Sequence, residues 1–433
     1  MTLPGGYVSG ARPISALSPE LARDWGLLAG PNERSLRRRI AWVWGLLFFN
    51  VMTYTTGSTN LIPLPHQVGK ALPELALGVA VLLILTANKR LLVRPNILLI
   101  LFTAMCLFAA IMSFRGYFGF SSMIRWVRFA VFVGALWLTT PWWGRRDFMI
   151  LHFQRRALMV VIGSVIIGMA FSPTRAFANA TGGRLGGIVW PVQPTQVAHY
   201  AAVLVGITVV LWLAGASKSK WTGVVIVAAF GALILTHSRI ALVAMLAGIL
   251  VGGLSLFLSR KRVRRAFVVA IVVVGIGALS FAPLVTGWFA RGENSQALTS
   301  LTGRTNIWSA VLDQPRTEAN TLLGYGMSND GFDGIPIDSS WLATYQDQGL
   351  VGDVLDGLVL VSLLVVALMS PRGPGRAVAL FLVVYCGVES FTQTGLGQPS
   401  TDILDLAVAM SLLMPPLLSS ARPKNARILD RSV

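Results

Sequence analysis

Charge is what this 433-residue chain has least of. Asp, Glu, Lys and Arg make up 12% of it, against roughly 25% in a soluble globular chain, so a purely soluble protein is excluded. Cysteine is as scarce: Cys106 and Cys386 both sit inside apolar runs, which supports neither a disulfide framework nor a cysteine metal site. A secretory signal is missing too. The first 39 residues are too long for one, and their basic cluster leads into a hydrophobic run with no small-residue cleavage site. That stretch reads as a cytosolic tail, in which Pro4, Pro13, Pro19 and Pro31 argue against one long helix. No internal repeat at a fixed period and no low-complexity tract is visible. What abounds is apolar side chain, at 54% of residues with a mean hydropathy of +0.67, and this excludes intrinsic disorder outside the two ends.

A bilayer core about 30 Å thick needs roughly 17–25 mostly apolar residues per helix. Runs of that kind lie near 40–57, 71–87, 96–113, 122–140, 157–172, 195–214, 221–237, 239–258, 266–289, 348–369, 376–393 and 402–418. The charge distribution tests this count. The chain carries 36 Lys and Arg against 18 Asp and Glu, a formal net charge of +18. With the N-terminus inside, the two tails and every second connection hold 26 of the 36 basic residues, as the positive-inside rule requires. The basic excess is therefore an orientation signal with some affinity for anionic lipid headgroups, and no nucleic-acid partner is implied. The expected fold is all-α: a polytopic integral membrane protein of about twelve transmembrane helices with one long outer loop. The expected division is a cytosolic basic tail at 1–39, helices one to nine at 40–289, and an extracytoplasmic loop at 290–347. Helices ten to twelve at 348–418 and a cytosolic tail at 419–433 complete it.

Ionisable residues inside spans are costly and default to functional candidates. Glu74, Arg125, Arg128, His199, Asp353, Asp356, Glu389, Asp402 and Asp405 all fall in the outer half of their spans in this topology. That pattern suggests a polar cavity open to the outer face rather than a path through the membrane. The outer loops add Arg175, Arg184, Arg239, Arg291, Arg304 and Arg316 among several carboxylates. Guanidinium groups recognise phosphate and carboxylate in a planar, bidentate way, and a carboxylate beside them suits a general base toward a hydroxyl. A loop arginine at a membrane edge also often only snorkels or pairs with an acid. For Arg125 and Arg128, three residues apart on one helix face, function outweighs a structural pair. His199 reads more as a packing residue, and His237 is weighed evenly between packing and function. Asn329–Gly334 does not space its oxygens as a calcium loop does, so no metal site is assigned.

Three constellations carry the chemistry. The first is Gly182-Gly183-Arg184-Leu185-Gly186-Gly187, followed by Trp190-Pro191-Val192-Gln193-Pro194 and a span. The second is Thr236-His237-Ser238-Arg239-Ile240-Ala241-Leu242, a polar knot between two apolar helices. The third runs through the long loop: Gly303-Arg304-Thr305-Asn306-Ile307-Trp308, then Leu323-Gly324-Tyr325-Gly326, then Asp338-Ser339-Ser340-Trp341-Leu342, with Gly349-Leu350-Val351-Gly352 opening the tenth span. In order and spacing these resemble the O-antigen ligase/polymerase superfamily of bacterial membrane glycosyltransferases, from about residue 180 to 370.

The resemblance implies a GT-C-like enzyme of the bacterial cytoplasmic membrane, active at its outer face. Its donor would be a polyprenyl-pyrophosphate-linked glycan and its acceptor a glycan or lipid-linked glycan, with membrane lipids around it and no cofactor. Arg184 and Arg239 would hold the pyrophosphate and act in catalysis with Asp338. Arg304 and Trp341 would bind substrate, and Arg125 and Arg128, from their place inside a span, and His237, from its neighbour Arg239, are read as substrate-binding beside them. Asp338 and Ser339 stand where the ligase pattern has His-Asn, so the ligase histidine does not transfer. Asp338 becomes the candidate general base or a ligand of acceptor hydroxyls, as in a polysaccharide polymerase. A peptidoglycan-type glycan-strand polymerase is the nearest alternative. A lipid or solute transporter is the alternative of another class, and it would need paired half-chains with helices interrupted at mid-depth. A purely structural membrane scaffold is the bland option, against which the outer-half clustering of charge counts.

Overall fold

The computed structural model describes residues 33–52, 65–114, 119–145, 147–178, 183–217, 220–257, 263–265, 304–327, 331–332 and 335–415. The expected ninth span, the start of the long loop and most of both tails lie outside the described residues. Within them the architecture is helical: α1 Glu33–Asn50, α2 His66–Ala87, α3 Ile97–Phe114, α4 Phe120–Thr139, α5 Met149–Phe171, the short α6 Pro173–Ala176, α7 Pro194–Leu213, α8 Trp221–Leu235 and α9 Arg239–Phe257. After the undescribed stretch come α10 Arg304–Asp313, α11 Glu318–Leu323, α12 Ser340–Met369, α13 Pro374–Glu389 and α14 Thr401–Leu413. One antiparallel pair, β1 Gly331–Phe332 with β2 Ile335–Pro336, sets Gly331 opposite Pro336 just before α12.

Seven described helices are long and apolar enough to cross a membrane: α2, α3, α4 with the turn after it, α5, α7, α9 and α12. A helix occupies eleven of the twelve expected segments, but four of those eleven fall short of that standard. α8 is apolar and 15 residues long, and α13 and α14 have 16 and 13. At 1.5 Å per residue these reach about 20–24 Å, less than the hydrocarbon thickness. α1 is long enough, but its first turns are charged. The expected fifth span at 157–172 is part of a 23-residue helix that starts at Met149.

The packing explains how short helices persist. α7 is the core of the bundle, with Ala198, Tyr200, Ala201, Ala202 and Val203 all fully buried. α13 packs beside it and α14 beside α13, with Leu404, Leu406, Ala407 and Val408 of α14 equally buried. Gly206 and Gly248 admit Phe381, whose ring would lie 1.9 Å and 2.7 Å from a Cβ at those two positions. The peripheral helices instead turn apolar side chains outward, such as Leu75, Leu82, Leu107, Val160, Val227 and Val361. An exposed apolar surface of that extent is what a lipid-facing bundle presents.

At the tail end of α1, Glu33 pairs with Arg37 and with Arg145, and Asp147 pairs with both arginines. The hydrogen bond from Arg37 holds the Glu33 carboxyl below its ordinary range. Burial alone would raise Asp147, but Arg145 and Arg37 more than offset it and its range is lowered. This charged clasp joins α1 to the segment that opens α5.

Candidate active site

The Arg184 loop is stitched to the turn between α8 and α9. Leu185 N–H donates to Leu235 O at 3.1 Å, and Arg184 Nε donates to Thr236 O at 2.8 Å. The carbonyls at a helix C-terminus lack intrahelical partners, so the last turn of α8 offers acceptors that the loop fills. The chain then reverses through His237, which adopts a left-handed conformation at φ 52°, and α9 begins at Arg239. Two constellations separated by more than forty residues thus form one junction. Arg184 lies against a carbonyl three residues before Arg239, with His237 between.

The third constellation is organised by a break in α12. Gly349 takes φ 61°, ψ −161° inside that helix, closer to its start than to its end, a conformation open to glycine and strained for other residues. The break frees the carbonyls of Gln346 and Asp347, and the loop before it supplies their partners. Tyr325 N–H donates to Gln346 O at 3.0 Å and Gly326 N–H to Asp347 O at 2.9 Å. Gly324, also left-handed at φ 73°, lets the two backbones meet; a Cβ there would fall 2.4 Å from Asp347 C. Arg316 locks the same crossing, donating to Gln346 Oε1 at 2.5 Å and lying over the Tyr345 ring at 4.3 Å.

The long loop therefore ends at a helix start eight residues earlier than the sequence suggests. Ser340 opens α12 and is tied to the turn after α13, its N–H donating to Ser390 O at 2.9 Å and its Oγ to Gln393 O at 2.8 Å. Trp341 Nε1 donates to Ser390 Oγ at 3.0 Å, and its ring sits 6.0 Å from that of Phe391. Just before it, Asp338 accepts from Arg304 Nε at 3.0 Å, the carboxylate side chain being 45% exposed. The candidate base and a candidate phosphate contact form an ion pair open to solvent.

At the start of α12 is a narrow polar hollow with room for about one water, lined by Ser340, Thr344, Asp347, Gln348, Thr394 and Gln398. Gln348 is 1% exposed, and its Oε1 has no hydrogen-bond partner. A buried amide oxygen without a partner is costly, and here it borders a polar cavity. The sequence motifs run on to include Thr344 without a role and leave out Asp347 and Gln348. The available signal was the run of polar residues Thr344–Gln348 just ahead of the Gly349 break.

The two intramembrane arginines divide. Arg125 donates to Met327 O at 3.0 Å, tying α4 to the loop that caps the break. Arg128 pairs with Glu74 at 3.1 Å and donates to Asn50 O at 2.7 Å, which joins α4 to α2 and to the end of α1. Its visible contacts are those of a helix-bracing group.

No curated protein and no solved structure matches the chain. Residues 223–352, from α8 to just past the break in α12, match the family model described as O-antigen ligase. That segment contains Arg239, Arg304, Asp338 and Trp341, whereas Arg184, Arg125 and Arg128 precede it. Over this segment, under a third of its length, the chain is similar to the O-antigen ligase family, and its apolar helices are those of a membrane protein.

Proposed function

We propose that the protein is a glycosyltransferase that transfers or polymerises glycan from a polyprenyl-pyrophosphate-linked donor at the outer face of the bacterial cytoplasmic membrane. The observation that carries this reading is the junction that holds Arg184 against the turn presenting His237 and Arg239. Two guanidinium groups on a loop and a helix start suit the two phosphates of such a donor.

The donor arrives activated, so the protein must position it, stabilise charge developing on the leaving group and present an acceptor hydroxyl. The bond between the anomeric carbon and the phosphate oxygen breaks. A new bond forms from that carbon to the acceptor oxygen, and the hydroxyl proton passes to a carboxylate. Asp338 takes the proton, with Arg304 fixing its orientation. No step calls for a metal. The transporter alternative finds less support. Among the described residues, the α12 break lies near one end of the helix and is closed by protein backbone, whereas a transport site lines a mid-depth cavity.

The test is transfer in proteoliposomes supplied with a fluorescent polyprenyl-pyrophosphate oligosaccharide and an acceptor glycan. Arg184→Ala and Arg239→Ala are each expected to lower turnover by about 10²-fold or more, with normal insertion. Full activity in both would overturn the assignment, and glycan flux without an acceptor would favour the transporter.

A further inference from the structure

A second polar cluster lies inside the bundle where α7, α13 and α14 meet, and glycosyl transfer makes no use of it. It consists of His199 in the second turn of α7, Glu389 at the end of α13, and Asp402 and Asp405 in the first turns of α14. Their exposures are 5%, 2%, 6% and 0%. A relay orients them. Trp44 Nε1 donates to Gln154 Oε1 at 2.8 Å, and Gln154 Nε2 donates to Asp405 Oδ1 at 2.7 Å. Asp405 Oδ2 then faces His199 Nε2 at 3.1 Å, where it accepts the ring N–H. With that tautomer the Nδ1 lone pair points the other way, toward Glu389 Oε2 at 2.6 Å and Asp402 Oδ1 at 3.7 Å. The three potential ligand atoms all lie within 4.8 Å of one another.

Two further observations point to a guest. Asp402 Oδ1 is buried and has no hydrogen-bond partner, and the same holds for the hydroxyl of Tyr200, whose ring sits 5.8 Å from the imidazole. The cluster is also short of positive charge. Among the described residues every ion pair of these three acids runs to His199. A proton on Nδ1 would serve one of the two facing carboxylates and leave the other orphaned. With all three acids ionised it would also leave two uncompensated negative charges where burial is most costly. The first turn of α14 offsets part of this through its dipole. A dication at the meeting point of Nδ1, Oε2 and Oδ1 satisfies all three atoms together. The Asp405–His199 contact is then the outer carboxylate that a metal-bound imidazole characteristically has. Gly395 permits the arrangement, because a Cβ there would lie 1.8 Å from Asp402 Oδ2.

We propose that His199 Nδ1, Glu389 and Asp402 bind a first-row transition dication that clamps α7, α13 and α14 together. One imidazole with two carboxylates suits Zn²⁺ or Mn²⁺ better than Mg²⁺. The proposal is independent of the glycosyl-transfer reading, since it concerns binding and stability alone.

The test uses the full chain in detergent, stripped with a chelator and titrated with Zn²⁺, Mn²⁺ or Mg²⁺. Bound metal is read by mass spectrometry, and unfolding by exposure of the buried Cys106 and Cys386 thiols. Zn²⁺ or Mn²⁺ is expected to bind at one equivalent and raise the melting temperature by several degrees. Glu389→Gln and Asp402→Asn should abolish both effects, and Asp405→Asn should weaken binding by about 10–100-fold. If an amide variant fails to fold, the remaining variants and the wild-type stoichiometry decide. The proposal is overturned by wild-type protein that takes up no equivalent of Zn²⁺ or Mn²⁺, or by uptake that persists in the folded variants. A proton-bridged cluster would give the first of these results.

Discussion

Arginine is the residue type on which the site turns, and partners rather than position divide the arginines. Arg128 is engaged by Glu74 and the Asn50 carbonyl, and Arg316 by Gln346 and Tyr345. Arg184 donates from Nε to the Thr236 carbonyl, and Arg304 from Nε to Asp338. Removing Arg128 strips a buried carbonyl of its partner, so Arg128→Ala should destabilise the detergent-solubilised protein by about 1–3 kcal/mol, read as a lower melting temperature. The Asp338–Arg304 pair is half-buried and reaches solvent, and surface pairs are worth about 0–1 kcal/mol. Asp338→Asn should therefore leave the melting temperature within a degree or two. It should lower transfer by about 10²–10⁴-fold if Asp338 is the base, and unchanged turnover would remove it from that role. The sequence supplied the residue types for both arguments. It could not supply the partners, because Glu74 and Arg128 meet only through the packing of α2 against α4, which no local spacing encodes.

At the scale of elements, apolar runs located the helices and misplaced several ends. Hydropathy marks where a helix can meet lipid, and a helix also continues through polar turns that protein covers. α12 shows this most clearly. Its first eight residues, Ser340–Asp347, are too polar to extend an apolar run, yet they are helical because the turns around Ser390 and Tyr325 satisfy their ends. The glycines of Leu323–Gly326 and Gly349–Gly352 were visible as motifs, but their mutual contact was not. A Cβ on Gly349 would lie 2.6 Å from Gly324 N and 2.5 Å from Leu322 C. Gly349→Ala and Gly324→Ala should each cost about 1–3 kcal/mol or more, from a strained φ plus a backbone clash. Because each clash lies at the same crossing, the double variant should cost less than the sum of the two. Additive losses in thermal unfolding would mean that the two glycines act separately.

At the scale of the whole molecule, the proposed outward-facing site depends on topology, and topology rests on the partition of charge. The expected cytoplasmic segments carry 26 basic and 5 acidic residues, and the rest of the chain 10 basic and 13 acidic. The clasp of Glu33, Arg37, Arg145 and Asp147 lies at one end of the bundle, on two segments that the partition assigns to the same side. The Asp338 pair lies on a segment assigned to the other. This permits a test that needs no substrate. Cys106 and Cys386 are both buried, so single cysteines added at exposed positions can be read against a low background with a membrane-impermeant maleimide. Lys89 and Asp313 are both exposed, one in a basic connection and the other at the end of α10. Asp313→Cys should label in intact spheroplasts, and Lys89→Cys only after the membrane is opened. The opposite result would put Arg304 and Asp338 on the cytosolic side. A periplasmic lipid-linked donor could not then reach them, so the charge partition and the proposed reaction stand or fall together.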